Sequence, residues 1–320
     1  MNLDQFFNSE PPTVAVLGDL MLDEWIIGSA HRISPEAPVP VVRLEKRETA
    51  PGGAANVVMN LLSLGARARA GGVVGDDEAG RDLAQELATA GADIAALVRD
   101  ASRPTTLKTR VVAQRQQMVR IDRESDEPLS GAIIEELRAR FEALLSGAGA
   151  LCLSDYAKGI AHCGVFASVI AAAREAQIIV TGGPKPANLR CFEGADFLSL
   201  NQKEASEASG SKLQTSAEIE AAGESLRIKA GAKCLAITRG GAGVSVFFGD
   251  QKMVPIPAYE VEVFDVAGAG DTFLSAATLA LARGADGVEA SRFGNLAAAA
   301  SVRHVGVVAV TRADMERVLG

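Results

Sequence analysis

Short apolar strand-like runs alternate with helix-period segments from Val14 onward, and this alternation limits the fold more than any other feature. Strand-like runs occupy Val14–Gly18, part of ARARAGGVVG, Ala150–Leu153, Gln177–Thr181, Phe197–Leu200 and Cys234–Thr238. Helical spacing marks Gly52–Gly65, Asp76–Gly91, Gly131–Leu145, Cys163–Ala173, Thr215–Ala230, Gly270–Ala282 and Asp286 to about Arg303. Such alternation predicts an α/β fold: a three-layer α/β/α domain with a mostly parallel central sheet covered on both faces. GVSVFFGDQKMVPIP reads as a hairpin turning at Gly249–Asp250.

Four runs break the rhythm. Glu24–Ala30 and Val39–Glu48, joined by RISPEAP, fall where a helix should follow the first strand, and Thr106–Gln114 and Gln116–Glu124 also pair without a helix. They predict a small separate β-sheet lid within residues 24–48 and 106–124. Residues 1–12 read as a flexible tail and residues 13–320 as one domain carrying this lid. The apolar WII and VPVV stretches are poor solvent faces, so lids pairing in a homodimer are expected.

Composition removes several classes. A net charge of −8 gives no general attraction for nucleic acid or anionic lipid. The longest apolar helix-like run, Thr272–Ala282, is too short to span a bilayer. Met1–Glu10 lacks the basic and apolar regions of a signal peptide, so a cytoplasmic location is expected. Cys152, Cys163, Cys191 and Cys234 show no C-x-x-C spacing and read as reduced thiols. His31, His162 and His304 make no zinc pattern.

The chemistry concentrates in DVAGAGDTF, Asp265–Phe273. A strand ending near Phe264 and a helix starting near Gly270 would aim free helical amides at an anion. Gly268 and Gly270 let a phosphate approach the backbone. Asp271 at the mouth of that cradle suits a base taking a proton from an attacking hydroxyl. An ordinary turn with an acid in the first helical turn fits these nine residues equally well. NQKE adds Asn201 and Glu204 at a strand end, suited either to orienting magnesium waters or to capping a helix. TRGGAG is a second glycine-rich strand exit, and Asp19 with PGGAAN suits recognition of several hydroxyls. No P-loop, G-x-G-x-x-G or G-x-S-x-G segment is present.

Together PGGAANVVMNLLSLGA, NQKE, TRGGAG and DVAGAGDTF resemble the ribokinase-like (PfkB-type) carbohydrate kinases, from about residue 13 to residue 315. GDLMLDEW, RISPEAPVPVV, TTLKTRVVAQRQQMVRID and SDYAKG are most similar to the branch that phosphorylates heptose 7-phosphate at C1, for ADP-heptose and lipopolysaccharide core. The chain resembles the single-function form of that branch rather than its fusion to an adenylyltransferase. The resemblance implies ATP and Mg²⁺, with a monovalent cation such as K⁺ as an optional addition near Asp265. It implies Asp271 as base, with the backbone of Gly268, Ala269 and Gly270 holding the transferring phosphoryl. Asn201 and Glu204 would face the phosphates, Glu204 reaching the metal through water. Thr238, Arg239, Gly240 and Asn295 would face the nucleotide, and Asp19, Gly52, Gly53 and Asn56 the sugar.

Two departures stand out: Gly183 replaces the acid usual before Pro-Lys, and Val266 follows Asp265 where Thr is usual. A sugar phosphate needs basic partners. Lys108 and Arg110 share one strand face, as do Arg120 and Asp122, by period-two spacing. Lys108, Arg120 and Lys185 are the expected phosphate readers, Lys158 is a further candidate, and Asp122 is available for a hydroxyl. The competing readings are a kinase of this family for another sugar and a non-catalytic sugar or nucleotide sensor. The presence of Asp271 and the NQKE pair argues against the sensor.

Overall fold

The computed structural model describes residues 3–7, 10–114, 116–161, 163–249 and 253–320. In chain order the strands are β1 (Thr13–Gly18), β2 (Leu20–Ile33), β3 (Pro40–Gly53), β4 (Arg67–Gly75), β5 (Asp93–Asp100), β6 (Thr106–Ala113), β7 (Gln116–Arg123), β8 (Ala150–Ser154), β9 (Ile179–Gly183), β10 (Phe197–Asn201), β11 (Cys234–Thr238), β12 (Val244–Phe248) and β13 (Val254–Ile256). The helices are α1 (Asp4–Phe7), α2 (Ala54–Ser63), α3 (Glu78–Thr89), α4 (Gly131–Ala139), α5 (Phe141–Leu145), α6 (Cys163–Glu175), α7 (Gln202–Ser209), α8 (Ser216–Lys229), α9 (Ala269–Ala282), α10 (Gly287–Ser301) and α11 (Arg312–Leu319).

The larger sheet runs β13-β12-β11-β10-β9-β8-β1-β4-β5. Its neighbours are parallel from β5 to β11, and only β12 and β13 turn antiparallel. Alternate side chains of each strand enter opposite cores. Val14 and Val16 pack with α2, α3, α9 and α10, whereas Ala15 and Leu17 pack with α4 to α8. The three-layer architecture read from the sequence is present. The parallel strands carry their ligand-facing loops at their C-terminal ends.

The smaller sheet runs β3-β2-β6-β7, antiparallel at both outer pairs and parallel at the β2–β6 junction. Its strands reach further inward than the sequence suggested. Leu20 pairs with Gly53 and Met21 with Gly52, so the root of the lid stands inside the cleft. Its outer reaches expose Ile33, Val39, Leu44, Met118, Val119 and Ile121, and every residue of β7 is exposed.

Several expectations change. The N-terminal tail is partly docked: Leu3 and Phe6 are buried, and the Phe6 ring lies 4.4 Å from that of Phe293. Burial of two apolar side chains outweighs the polar character of their neighbours. No strand precedes the signature, because residues 257–268 are irregular. The expected helix over Gly131–Leu145 divides at Arg140 into α4 and α5. The unexpected β5 is an edge strand that buries alternate positions only in its second half. The unexpected α11 buries Met315 alone and starts with a Thr311–Asp314 capping box. Cys152 and Cys234 are free and buried as expected, but Cys191 is disulfide-bonded, which corrects the all-reduced reading. His162 and Asp250 lie outside the described residues.

Candidate active site

The DVAGAGDTF segment is braced before its helix begins. Asp265 accepts hydrogen bonds from Ala267 N at 3.0 Å and Gly306 N at 3.0 Å, tying the segment to the loop after α10. Gly268 takes a left-handed φ of 75°, which a side chain disfavours, and α9 starts at the next residue. Ala269 N donates to Val266 O at 3.3 Å, whereas the next amides of α9, those of Gly270 and Asp271, have no such carbonyl one turn earlier. At Gly270 a Cβ would meet no atom within 4 Å, so the backbone faces open space there. The start of α9 is thus open in the way an anion cradle requires.

Asp271 stands in the first turn of α9 with both carboxylate oxygens held. Tyr156 Oη donates to Oδ1 at 2.6 Å and Asn56 Nδ2 donates to Oδ2 at 2.9 Å. Burial pushes its carboxyl up to about 6; the two hydrogen bonds and the Lys185 charge oppose this rise, and Asp23 adds to it. Such a carboxylate is ionised at neutral pH and basic enough to take a proton. Asn56, expected at the sugar, thus contacts Asp271, and the Tyr156 contact was not expected at all. No local signal marks a contact spanning 115 residues.

At the lid root, Asp19 is buried, and its carboxylate accepts from Tyr156 N at 2.8 Å, Lys158 N at 3.1 Å and Ile160 N at 3.2 Å. It anchors the loop after β8. Burial raises its carboxyl above the ordinary range against those amides. Asp23, which is not among the residues expected from the sequence, acts through its charge on Asp271 and Tyr156. It is buried, accepts from Arg110 Nη1 at 2.6 Å, and closely approaches Gly52, where a Cβ would collide with Asp23 Oδ2. The guanidinium of Arg110 also lies 5.1 Å from the centre of the Trp25 ring. Gly53 has φ 57°, and a Cβ there would meet Asp19 O at 2.6 Å. An acid among the buried apolar residues LMLDEW was the available signal for Asp23.

Asn201 and Glu204 form a reciprocal capping box on α7: Glu204 N donates to Asn201 Oδ1 at 2.9 Å and Asn201 N to Glu204 Oε2 at 2.9 Å. Glu204 Oε1 accepts from Lys185 Nζ at 2.6 Å, and that ammonium lies 5.0 Å from the centre of the Tyr156 ring. Lys185, Glu204, Asn201, Gly183 and Asp271 line one cavity of about 220 Å³. Asp155 lines it too, accepting from Lys185 N at 2.8 Å and holding Asn188 Nδ2 with both oxygens. Among the described residues no cluster of three or more His, Cys, Asp or Glu is arranged to hold a metal.

A larger cavity of about 710 Å³ adjoins the cradle and includes Ala269 and Gly270. Thr238, Gly240 and Asn295 line it, with apolar walls from Val244, Phe273 and Val302. Asn295 Nδ2 donates to Pro257 O at 2.9 Å. Arg239 does not line the cavity: its Nη2 turns back to Ala242 O at 2.9 Å.

The expected phosphate readers are divided. Lys108 bonds Asp122 and Glu124 at 3.2 and 3.0 Å, and Arg120 holds both oxygens of Asp122 at 2.9 Å each. Lys158 bonds Glu124 and Asp126, each at 2.8 Å. These residues form one ionic cluster between the lid and the loop after β8, and Asp122 is occupied by cations. Lys185 is in the cavity beside Asp271 instead.

A helix start with open backbone, a recessed carboxylate beside it and a lid rooted in the same cleft come together at the C-terminal ends of the parallel strands. The chain belongs to the pfkB family of carbohydrate kinases, whose sequence profile matches residues 12–313. It is 42% identical over 310 residues to the bifunctional protein HldE of Geobacter metallireducens, covering 97% of this chain and 63% of that protein. It is 43% identical over 305 residues to the bifunctional protein HldE of Caulobacter vibrioides, covering 95% and 62%. The chain therefore spans less than two thirds of the length of these relatives. In fold it is similar to phosphofructokinase-2 from Escherichia coli (TM-score 0.78, 22% identity, covering 96% of this chain and 98% of that one). It is also similar to ribokinase from Thermotoga maritima (TM-score 0.72, 24% identity, covering 96% and 99%).

Proposed function

We propose that the protein transfers the γ-phosphoryl of ATP to the C1 hydroxyl of D-glycero-β-D-manno-heptose 7-phosphate, giving the 1,7-bisphosphate and ADP. The observation that carries this reading is the 42% identity to HldE over 97% of the chain, a span that includes the lid. The lid segment RISPEAPVPVV is the part whose resemblance points to heptose 7-phosphate.

In this reading Asp271 accepts the C1 hydroxyl proton. The freed oxygen forms a bond to the γ-phosphorus as the bond from that phosphorus to the β–γ bridging oxygen breaks, and ADP leaves. The amides around Gly268, Ala269 and Gly270 face the transferring group. ATP extends into the larger cavity along Thr238, Gly240 and Asn295. Gly183 supplies no carboxylate and Glu204 is engaged by Lys185, so Asn201 and Glu204 would hold a magnesium ion indirectly, through water. Bound there, it would neutralise phosphate charge. We assign a sugar-hydroxyl contact to Asp23 rather than Asp19, because the Asp19 oxygens already accept three amides. The 7-phosphate would compete for Lys108, Arg120 or Lys158 with the acids they now hold.

ADP release measured across a panel of sugars tests the proposal. A 7-phosphorylated heptose is expected to exceed ribose and fructose in kcat/KM by at least about 10³-fold, since a sugar lacking the phosphate forgoes the charge-assisted contacts to these cations. Equal turnover of ribose would point to another sugar kinase of the family. The exposed apolar side chains of the lid support a second copy of this chain as partner. Sedimentation at micromolar concentration should show a dimer, and a monomer would refute the pairing.

A further inference from the structure

We propose that Tyr156 is a positioning residue for Asp271, held in place by Asp19 through the loop that carries it. The inference rests on Asp271 being the base.

Tyr156 Oη lies 2.6 Å from Asp271 Oδ1, opposite the Asn56 amide on Oδ2. Two donors from different elements fix the plane of the carboxylate, while each oxygen retains a lone-pair direction for the acceptor hydroxyl. The position of the tyrosine is itself imposed. Asp19 binds the amides of residues 156, 158 and 160, and Asp155 within the loop binds Ala157 N at 2.7 Å, so two buried carboxylates hold the loop. Ala157 is held at φ 56°, a conformation that alanine rarely adopts without such restraint. Burial and the neighbouring Asp271 charge keep the phenol well above its usual pKa, so it remains a donor across the working pH range. The other charged groups facing this pair are Lys185, Glu204, Asp155 and Asp23.

The test is Tyr156→Phe in the full chain, which removes one oxygen and preserves the ring beneath Lys185. The hydroxyl's bond lowers the Asp271 pKa, so its loss should move the acidic limb of the kcat profile upward by about one pH unit. In the pH range of that limb kcat should fall by up to about tenfold, the change that a shift of one pH unit produces. KM for heptose 7-phosphate should change by less than about twofold. An unmoved limb with near-normal kcat would overturn the proposal. A raised KM with an unmoved limb would also overturn it, by making Tyr156 a substrate contact. Titration of Asp271 by carboxyl ¹³C NMR in both proteins reads the same contact without turnover. If the Asp271 pKa rises in the variant but neither protein phosphorylates the heptose, the positioning contact stands and the substrate reading fails. An unchanged Asp271 titration would overturn the contact itself.

Discussion

Asp271→Asn is expected to lower kcat by about 10²- to 10⁴-fold, the usual contribution of a general base. The substitution is nearly isosteric, and the side-chain oxygen can still accept one of the two present donors. Tyr156 Oη can in turn accept from the new amide. The wild-type profile should show a limb near pH 6, because burial raises the Asp271 carboxyl from 3.8 to about 6. The active form is the ionised one, so activity rises with pH through that limb and levels off above it. The variant should have lost this limb.

Stability moves the other way. A folded pKa above the unfolded value means that Asp271 favours the folded state most below about pH 4, and that this contribution is lost as pH rises through about 6. At neutral pH its charge is a net cost to folding. Asp271→Asn should therefore melt no lower than wild type at pH 7 to 8. Near-normal turnover by a folded variant would remove Asp271 from the chemistry.

Gly52→Ala is expected to cut kcat/KM for the sugar by about 10- to 100-fold. Its Cβ would overlap Asp23 Oδ2, and Asp23 is held on its other oxygen by Arg110 at 2.6 Å. The carboxylate must rotate away, losing contact with Arg110 and with any hydroxyl it binds. A hydrogen bond to a charged group carries an effect of this size. Asp23→Ala should reproduce most of the loss. Adding Gly52→Ala to it should cost little more, because both changes remove one contact. KM for ATP should change little, since this contact is remote from the larger cavity. Full additivity in sugar kinetics would show that Gly52 acts elsewhere.

The central sheet was legible because its inner strands are buried on both faces and read as unbroken apolar runs, as in Val14–Gly18. The edge strand β5 lacks that continuity, since its first half is largely exposed. The Thr311–Asp314 cap was a readable sign of α11. Asp23 escaped notice for a different reason: β2 begins at Leu20, four residues before the Glu24 start that the sequence suggests, so Asp23 lay outside the expected strand. NQKE had two readings, and its atoms satisfy the capping one. A capping carboxylate that also binds Lys185 is not barred from facing phosphate waters, and local sequence cannot separate the two roles. Asp271 was visible in the sequence, but its two partners were not. Tyr156 and Asn56 reach it from the loop after β8 and from α2, and only the folded sheet brings those elements together.

The site of phosphorylation is read most directly by ³¹P NMR of the product made from ATP, Mg²⁺ and heptose 7-phosphate. The account predicts a new phosphate resonance coupled to the anomeric proton, growing with ADP while the 7-phosphate signal persists. A new phosphate coupled to any other proton, or no consumption of the heptose by a folded protein, would contradict it.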